Sequence, residues 1–141
     1  MRLDECQSAF LSVKLKYLEL WTNQRRQIAF WYEEMLSGIG DLILPITAKN
    51  STHVYHLYVV RSQKRNELQQ YLLKNGIGTL IHYPVPPHLQ KAYEYLGFQK
   101  GDFPVAEIVA DTCLSLPVWP GMKKEEVDFI GKTTRDFFNG K

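Results

Sequence analysis

Between Leu3 and Leu36 the chain contains neither proline nor glycine, and good helix formers fill the stretch, which predicts one long helix. Successive helical residues lie about 100° apart. On that wheel Leu3, Cys6, Ala9, Phe10, Val13, Tyr17, Leu20 and Trp21 share one broad arc, and Leu11, Leu15 and Leu18 form a second. Only a narrow polar stripe remains, made of Glu5, Ser8, Ser12, Lys16 and Glu19. So thin a stripe predicts a helix covered on two sides. Beyond Asn23 the pattern becomes one-sided, with Ile28, Trp31, Tyr32 and Met35 in one stripe, and SGIG at 37–40 ends the helix.

Thereafter the period changes. DLILPITAKNST reads as an extended segment interrupted by Pro45, and HVYHLYVVR at 53–61 as a strand with two apolar faces, hence a central one. SQKRNELQQYLLKNG predicts a helix with Ser62 as its cap, Leu68, Tyr71 and Leu72 as its stripe, and Gly76 past its end. IGTLIHY reads as a strand stopped by Pro84, Pro86 and Pro87. A short helix, HLQKAYEYLG, follows. A further helix has Pro104 in its first turn and Asp102 before it, and runs to the strand CLSLPV. In the last segment Val127, Ile130 and Phe137 share one helix face, with acids early and Arg135 late, as the helix dipole favours. Gly131 should weaken that helix by about 1 kcal/mol relative to alanine. One long helix followed by strands alternating with helices predicts an α+β fold with a short, mostly antiparallel sheet flanked by helices.

Composition narrows the classes. The 141 residues suit one ordinary domain, 45% hydrophobic and 23% charged, with a formal net charge of +2 and the charges interspersed. This argues against nucleic-acid binding. No apolar run approaches the roughly 20 residues that span a bilayer, and the first ten lack a basic-then-apolar leader pattern, so a cytoplasmic, membrane-free protein is expected. Cys6 and Cys113 are far apart, lack Cys-x-x-Cys spacing and sit among apolar residues, which reads as two reduced core thiols.

Candidate chemistry is sparse. His53 and His56 lie an odd number of positions apart on the expected strand, point to opposite faces and so do not share an ion. His82 and His88 converge at best across a proline-rich turn with no Cys, Asp or Glu between them, so no metal site is expected. His56 reads as a satisfied core histidine. Ser115, Cys113 and Cys6 lie in no nucleophile elbow, and the glycines form no phosphate loop. His82, Tyr83 and His88 remain, at the end of a strand and in the loop after it, where scaffolds commonly present binding groups. Two readings of them are open at this stage. They bind a ligand, or they hydrogen-bond locally and pack a turn. An acid and base role for His82 and Tyr83 alone finds no carboxylate or nucleophile partner.

RLDECQSAFLSVKL, HVYHLYVVR, GIGTLIHYPVPPHLQKAYEYLG and DFPVAEIVADTCLSLPVWPGM resemble, in order and spacing, consecutive blocks of the DegT/DnrJ/EryC1/StrS family of pyridoxal-phosphate sugar aminotransferases. The resemblance covers nearly the whole chain and only the C-terminal part of the family. It implies the small C-terminal domain of a fold-type I aminotransferase. Residues 1–36 would be the helix bridging two domains and 37–141 the small α+β domain. It also implies amino transfer from glutamate to a keto-sugar nucleotide through pyridoxal phosphate in the complete enzyme. By the same resemblance Arg2 and Gln7 lie near cofactor and domain junction, and His82, Tyr83 and His88 border the substrate side. Lys14, Lys74 and Lys91 match no Schiff-base motif, so no catalytic lysine, no bound cofactor and no activity are expected of this chain alone. Met1 stands where the family has a different lead into Arg2, which reads as a truncated product or excised piece lacking the large cofactor-binding domain. Two consequences are expected: self-association or a partner over the first helix, or alternatively a stand-alone interaction or regulatory module that pairs with an intact aminotransferase.

Overall fold

The computed structural model describes residues 3–140. Asp4 starts the helical region: its carboxylate accepts the Gln7 N–H at 3.1 Å, and α1 runs Glu5–Leu15. The expected single helix is two. At Tyr17 (φ −105°, ψ −2°) the i to i−4 ladder is interrupted, its N–H turning to the Lys14 carbonyl at 3.0 Å, and α2 begins anew at Leu18 and ends at Leu36. An i to i−3 bond of this kind tightens and interrupts the ladder with no proline or glycine present. Tyr17 stacks on Trp21 just beyond the break, with ring centroids 5.8 Å apart.

Three further helices and two strands follow. They are β1 (Tyr58–Arg61), α3 (Arg65–Lys74), α4 (Pro104–Thr112), β2 (Cys113–Leu116) and α5 (Lys124–Phe138), with 3₁₀ turns at Pro87–Leu89 and Lys91–Leu96 where one short helix was expected. The strands pair antiparallel, Tyr58 opposite Leu116 and Arg61 opposite Cys113. Single bridges extend this ladder on both edges, Ile43 to Arg61 and Leu80 to Ser115. β1 is therefore flanked on both edges, as its two apolar faces indicated, but it starts at Tyr58. His53 to Leu57 lie outside it, where Arg26 and Arg25 donate to the carbonyls of His53 and His56 at 3.0 and 3.3 Å. His56 is exposed and not a core histidine. The expected strand at 77–83 reduces to the single bridge at Leu80, and its outer edge is uncovered.

The core lies where α2, α3 and α5 close over one face of the ladder. Ile28, Tyr32 and Leu36 of α2 meet Leu68 and Leu72 of α3, Val127 and Ile130 of α5, and Tyr58, Val60, Leu114 and Leu116 of the strands. Cys113 is buried, but Cys6 is exposed, correcting the expected core thiol: no residue of α1 is buried. Gly131 has a packing role the sequence hid. A Cβ there would come 2.7 Å from Cε and 2.9 Å from Sδ of Met35, so the bare helix surface lets α5 approach α2. Gly131→Ala gains about 1 kcal/mol of helix propensity and must move a flexible methionine tip, so a stability change near zero is expected. Gly131→Leu is expected to lose about 1–3 kcal/mol by overpacking in urea unfolding. Equal midpoints for the leucine variant and the parent would refute this packing.

Candidate functional site

Around β2 the chain builds a platform for the histidine-tyrosine-proline segment. Ser115 and Leu80 exchange backbone bonds at 2.7 and 3.3 Å, which places residues 80–83 beside the strand. From β2, Ser115 Oγ lies 2.9 Å from His82 Nδ1, and the Cys113 thiol donates to the His82 carbonyl at 3.8 Å. Residues two apart on a strand share a face, so one side of β2 holds both the ring and the backbone of His82. His82 is half-buried, whereas Tyr83, which meets it edge to face across a cis peptide, is 73% exposed.

Beyond Tyr83 the prolines lead into a lobe gathered on one carboxylate. Glu107, on α4, accepts from the Gly101 N–H at 2.8 and 3.0 Å, from the Phe103 N–H at 3.4 Å, and pairs with His88 Nε2 at 3.0 Å. Glu107 thus caps the start of α4, where the sequence pointed to Asp102. Asp102 instead accepts the Gln99 N–H at 2.8 Å. His88 also stacks on Phe103, which meets Phe98 edge to face. An apolar cleft of about 600 Å³ opens between Tyr83, Val85, Pro86, Phe103, Val105 and Val109. A second, of about 400 Å³, lies on the far side of Phe103, against His88, Tyr93 and Leu96.

The Gly101 N–H, ahead of the His88 side chain and the Phe103 N–H, holds the Glu107 carboxyl below its ordinary range. A carboxyl whose folded pKa is depressed stabilises the fold above its unfolded value, about 4.3, and that stability is lost as pH falls through the folded value. The Gly101 amide resonance is expected to titrate with a midpoint below about 4.3, and Glu107→Gln to abolish that transition and loosen 98–103 at neutral pH. A midpoint at or above the ordinary glutamate value would contradict the clasp.

The expected site residues thus fall into separate groups. His82 and Tyr83 share the edge of the ladder, while His88 is turned into the Glu107 clasp and not toward His82. Gln7 lies exposed on α1, and Arg2 lies outside the described residues. Ser115, weighed only as a nucleophile, and Glu107 were missed as the partners of His82 and His88. The signal for Ser115 was a lone polar residue in the buried run CLSL, and for Glu107 its place four residues past the N-cap Phe103. Among the described residues no His, Cys, Asp and Glu group is arranged to hold a metal, and no helix is long and apolar enough to cross a membrane.

Pyridoxal phosphate does not fit the residues present. The cofactor needs a lysine amine activated by its surroundings and a partner for the ring nitrogen. Every described lysine is exposed, including Lys14 on α1, Lys74 ending α3 and Lys91 opening the second 3₁₀ turn.

The model of the DegT/DnrJ/EryC1/StrS aminotransferase family matches residues 1–135. The pleiotropic regulatory protein of Geobacillus stearothermophilus is 42% identical over 97% of this chain and 37% of its own length. The dTDP-3-amino-3,6-dideoxy-alpha-D-galactopyranose transaminase of Aneurinibacillus thermoaerophilus is 45% identical over 92% of this chain and 35% of its own. The solved structure of S. venezuelae DesV superimposes with a TM-score of 0.94 at 38% identity, covering 97% of this chain and 37% of that one. The chain therefore spans little more than a third of the relatives it matches.

Proposed function

The chain belongs to the DegT/DnrJ/EryC1/StrS aminotransferase family, and from that premise we propose that it is the small C-terminal domain of a pyridoxal-phosphate nucleotide-sugar aminotransferase. In this reading it supplies the substrate-side wall of an active site, with His82 and Tyr83 facing a keto-sugar nucleotide and glutamate as amino donor. The lysine and the cofactor cradle are supplied by a large domain outside its sequence. By the family resemblance, Arg2 and Gln7 belong to the junction between the two domains. The observation that carries this is the family match over residues 1–135 on a chain whose described lysines are all exposed.

Two experiments test it. Pyridoxal phosphate with borohydride trapping and mass mapping is expected to give no saturable adduct at a single lysine, and a specific one would overturn the assignment. Fused behind the preceding two thirds of the A. thermoaerophilus transaminase, the chain is expected to restore amino transfer. His82→Ala in that chimera should lower kcat/KM by about 100-fold, the scale of losing one placed hydrogen-bonding group at the reacting substrate. An active chimera indifferent to His82→Ala would remove His82 from the site.

A second reading follows from α1 and the residue that opens α2. Phe10, Leu11, Val13, Leu15 and Leu18 are all more than half exposed, a patch of the kind that marks an interface. In the 141-residue chain itself, that face pairs with a second copy.

A further inference from the structure

We propose that Ser115 is a positioning residue for His82, holding its imidazole with the hydrogen on Nε2 so that the site presents a donor to an acceptor oxygen of its ligand. The ligand half of this statement rests on the reading of His82 as part of a nucleotide-sugar site. The orienting half rests on geometry alone. Ser115 is 5% exposed, and its backbone is paired on both sides, with Val59 in β1 and with Leu80 across the other edge. The hydroxyl therefore springs from a fixed point.

Among the described residues its one side-chain partner is His82 Nδ1, at 2.9 Å. A buried hydroxyl has one hydrogen to place, and a buried donor left unmade is the costlier defect, since oxygen lone pairs tolerate neglect better than an N–H or O–H does. Thr79 Oγ1, in the small cleft that Ser115 and His82 also line, has no partner and does not compete for that hydrogen. Ser115 accordingly donates, and Nδ1 accepts. A neutral imidazole that accepts at Nδ1 carries its own hydrogen at Nε2. The Cys113 thiol, two residues earlier on the same face of β2, holds the His82 carbonyl, so ring orientation and backbone are set by one strand. The other nitrogen, Nε2, then matches a phosphoryl, keto or hydroxyl oxygen.

Nitrogen-15 NMR of the 141-residue chain, at a pH alkaline enough to keep imidazole neutral, reads the arrangement directly. In the parent His82 is expected to show a single tautomer with hydrogen on Nε2. In Ser115→Ala a second population with hydrogen on Nδ1 is expected to appear, and Ser115→Thr, which keeps the hydroxyl, should restore the single form. A parent His82 carrying its hydrogen on Nδ1, or the same distribution in parent and Ser115→Ala, overturns the proposal. The parent spectrum is decisive by itself, so a Ser115→Ala chain that fails to fold does not remove the test. Neither substrate nor cofactor enters the measurement, so its failure is distinct from failure of the aminotransferase reading, which the trapping and chimera experiments decide.

Discussion

At about 100 μM the 141-residue chain is expected to sediment with twice its 16.4 kDa mass, and a Leu11→Asp, Leu15→Asp double variant as a monomer. The surface argues for this first. A folded monomer of this mass exposes about 7,500 Å², and this chain exposes 10175 Å², roughly a third more. Part of that surface runs along α1 and onto the residue that opens α2, where Phe10 is 68% exposed, Leu15 67%, and Leu11 and Leu18 53% each. Covering these four on each of two copies contributes about 1.5 kcal/mol per side chain at the low end of the range for full burial. That gives on the order of 12 kcal/mol gross. An association cost from about 4 kcal/mol upward leaves about the 8 kcal/mol that corresponds to a micromolar Kd. Two aspartates per helix would bring four carboxylates into that face, and a loss of at least about 100-fold in Kd is expected, because a desolvated charge must be paired or neutralised. A parent that stays monomeric at that concentration would show that α1 pairs with nothing in this chain.

The same helix marks where the sequence was and was not legible. Its double apolar face was read from spacing alone, and in this structure no residue of α1 is buried. The break at Tyr17 was not legible, because no residue there is a helix breaker. α3, α4 and α5 emerged near their predicted places, since each carries a clean stripe and a terminal signal: Gly76 past the end of α3, Pro104 at the start of α4, the acids opening α5. The segment 53–57 misled because aromatic and β-branched residues describe a half-buried surface as well as a strand. There His53 accepts the Tyr55 N–H at 2.9 Å and Tyr55 adopts a φ of +47°, turning the chain out of the ladder. At the site, His82 and Tyr83 were singled out by their place at a strand end and by motif resemblance. The partners that hold His82 and His88, Ser115 and Glu107 respectively, act across 33 and 19 residues of sequence, a range at which no local pattern reports.

Tyr32 should carry the largest single-residue effect on stability, because three links meet in it. Its side chain is fully buried, its ring lies 4.9 Å from that of Tyr58, and its hydroxyl donates to the Pro117 carbonyl at 2.9 Å. α2 is thereby tied to the end of β2, two residues beyond Ser115. Tyr32→Ala is expected to cost about 3–5 kcal/mol, the range for emptying a buried aromatic site. That is a large part of the roughly 5–15 kcal/mol that holds a domain folded. Tyr32→Phe keeps the ring and leaves the Pro117 carbonyl unpaired, for a loss of about 1–3 kcal/mol. Burial, more than the neighbouring Tyr58, pushes the Tyr32 phenol above its usual range. In the unfolded chain that phenol ionises near pH 10, so the folded state holds the proton longer and stability falls as pH rises past that point. Urea unfolding at neutral and alkaline pH separates these contributions. Tyr32→Phe should begin lower than the parent at pH 7 and lose less on going above about pH 10. Parallel losses in the two chains would mean that the phenol is not held in the core. A Tyr32→Ala chain within about 1 kcal/mol of the parent would mean that α2 does not anchor the strand on which His82 depends.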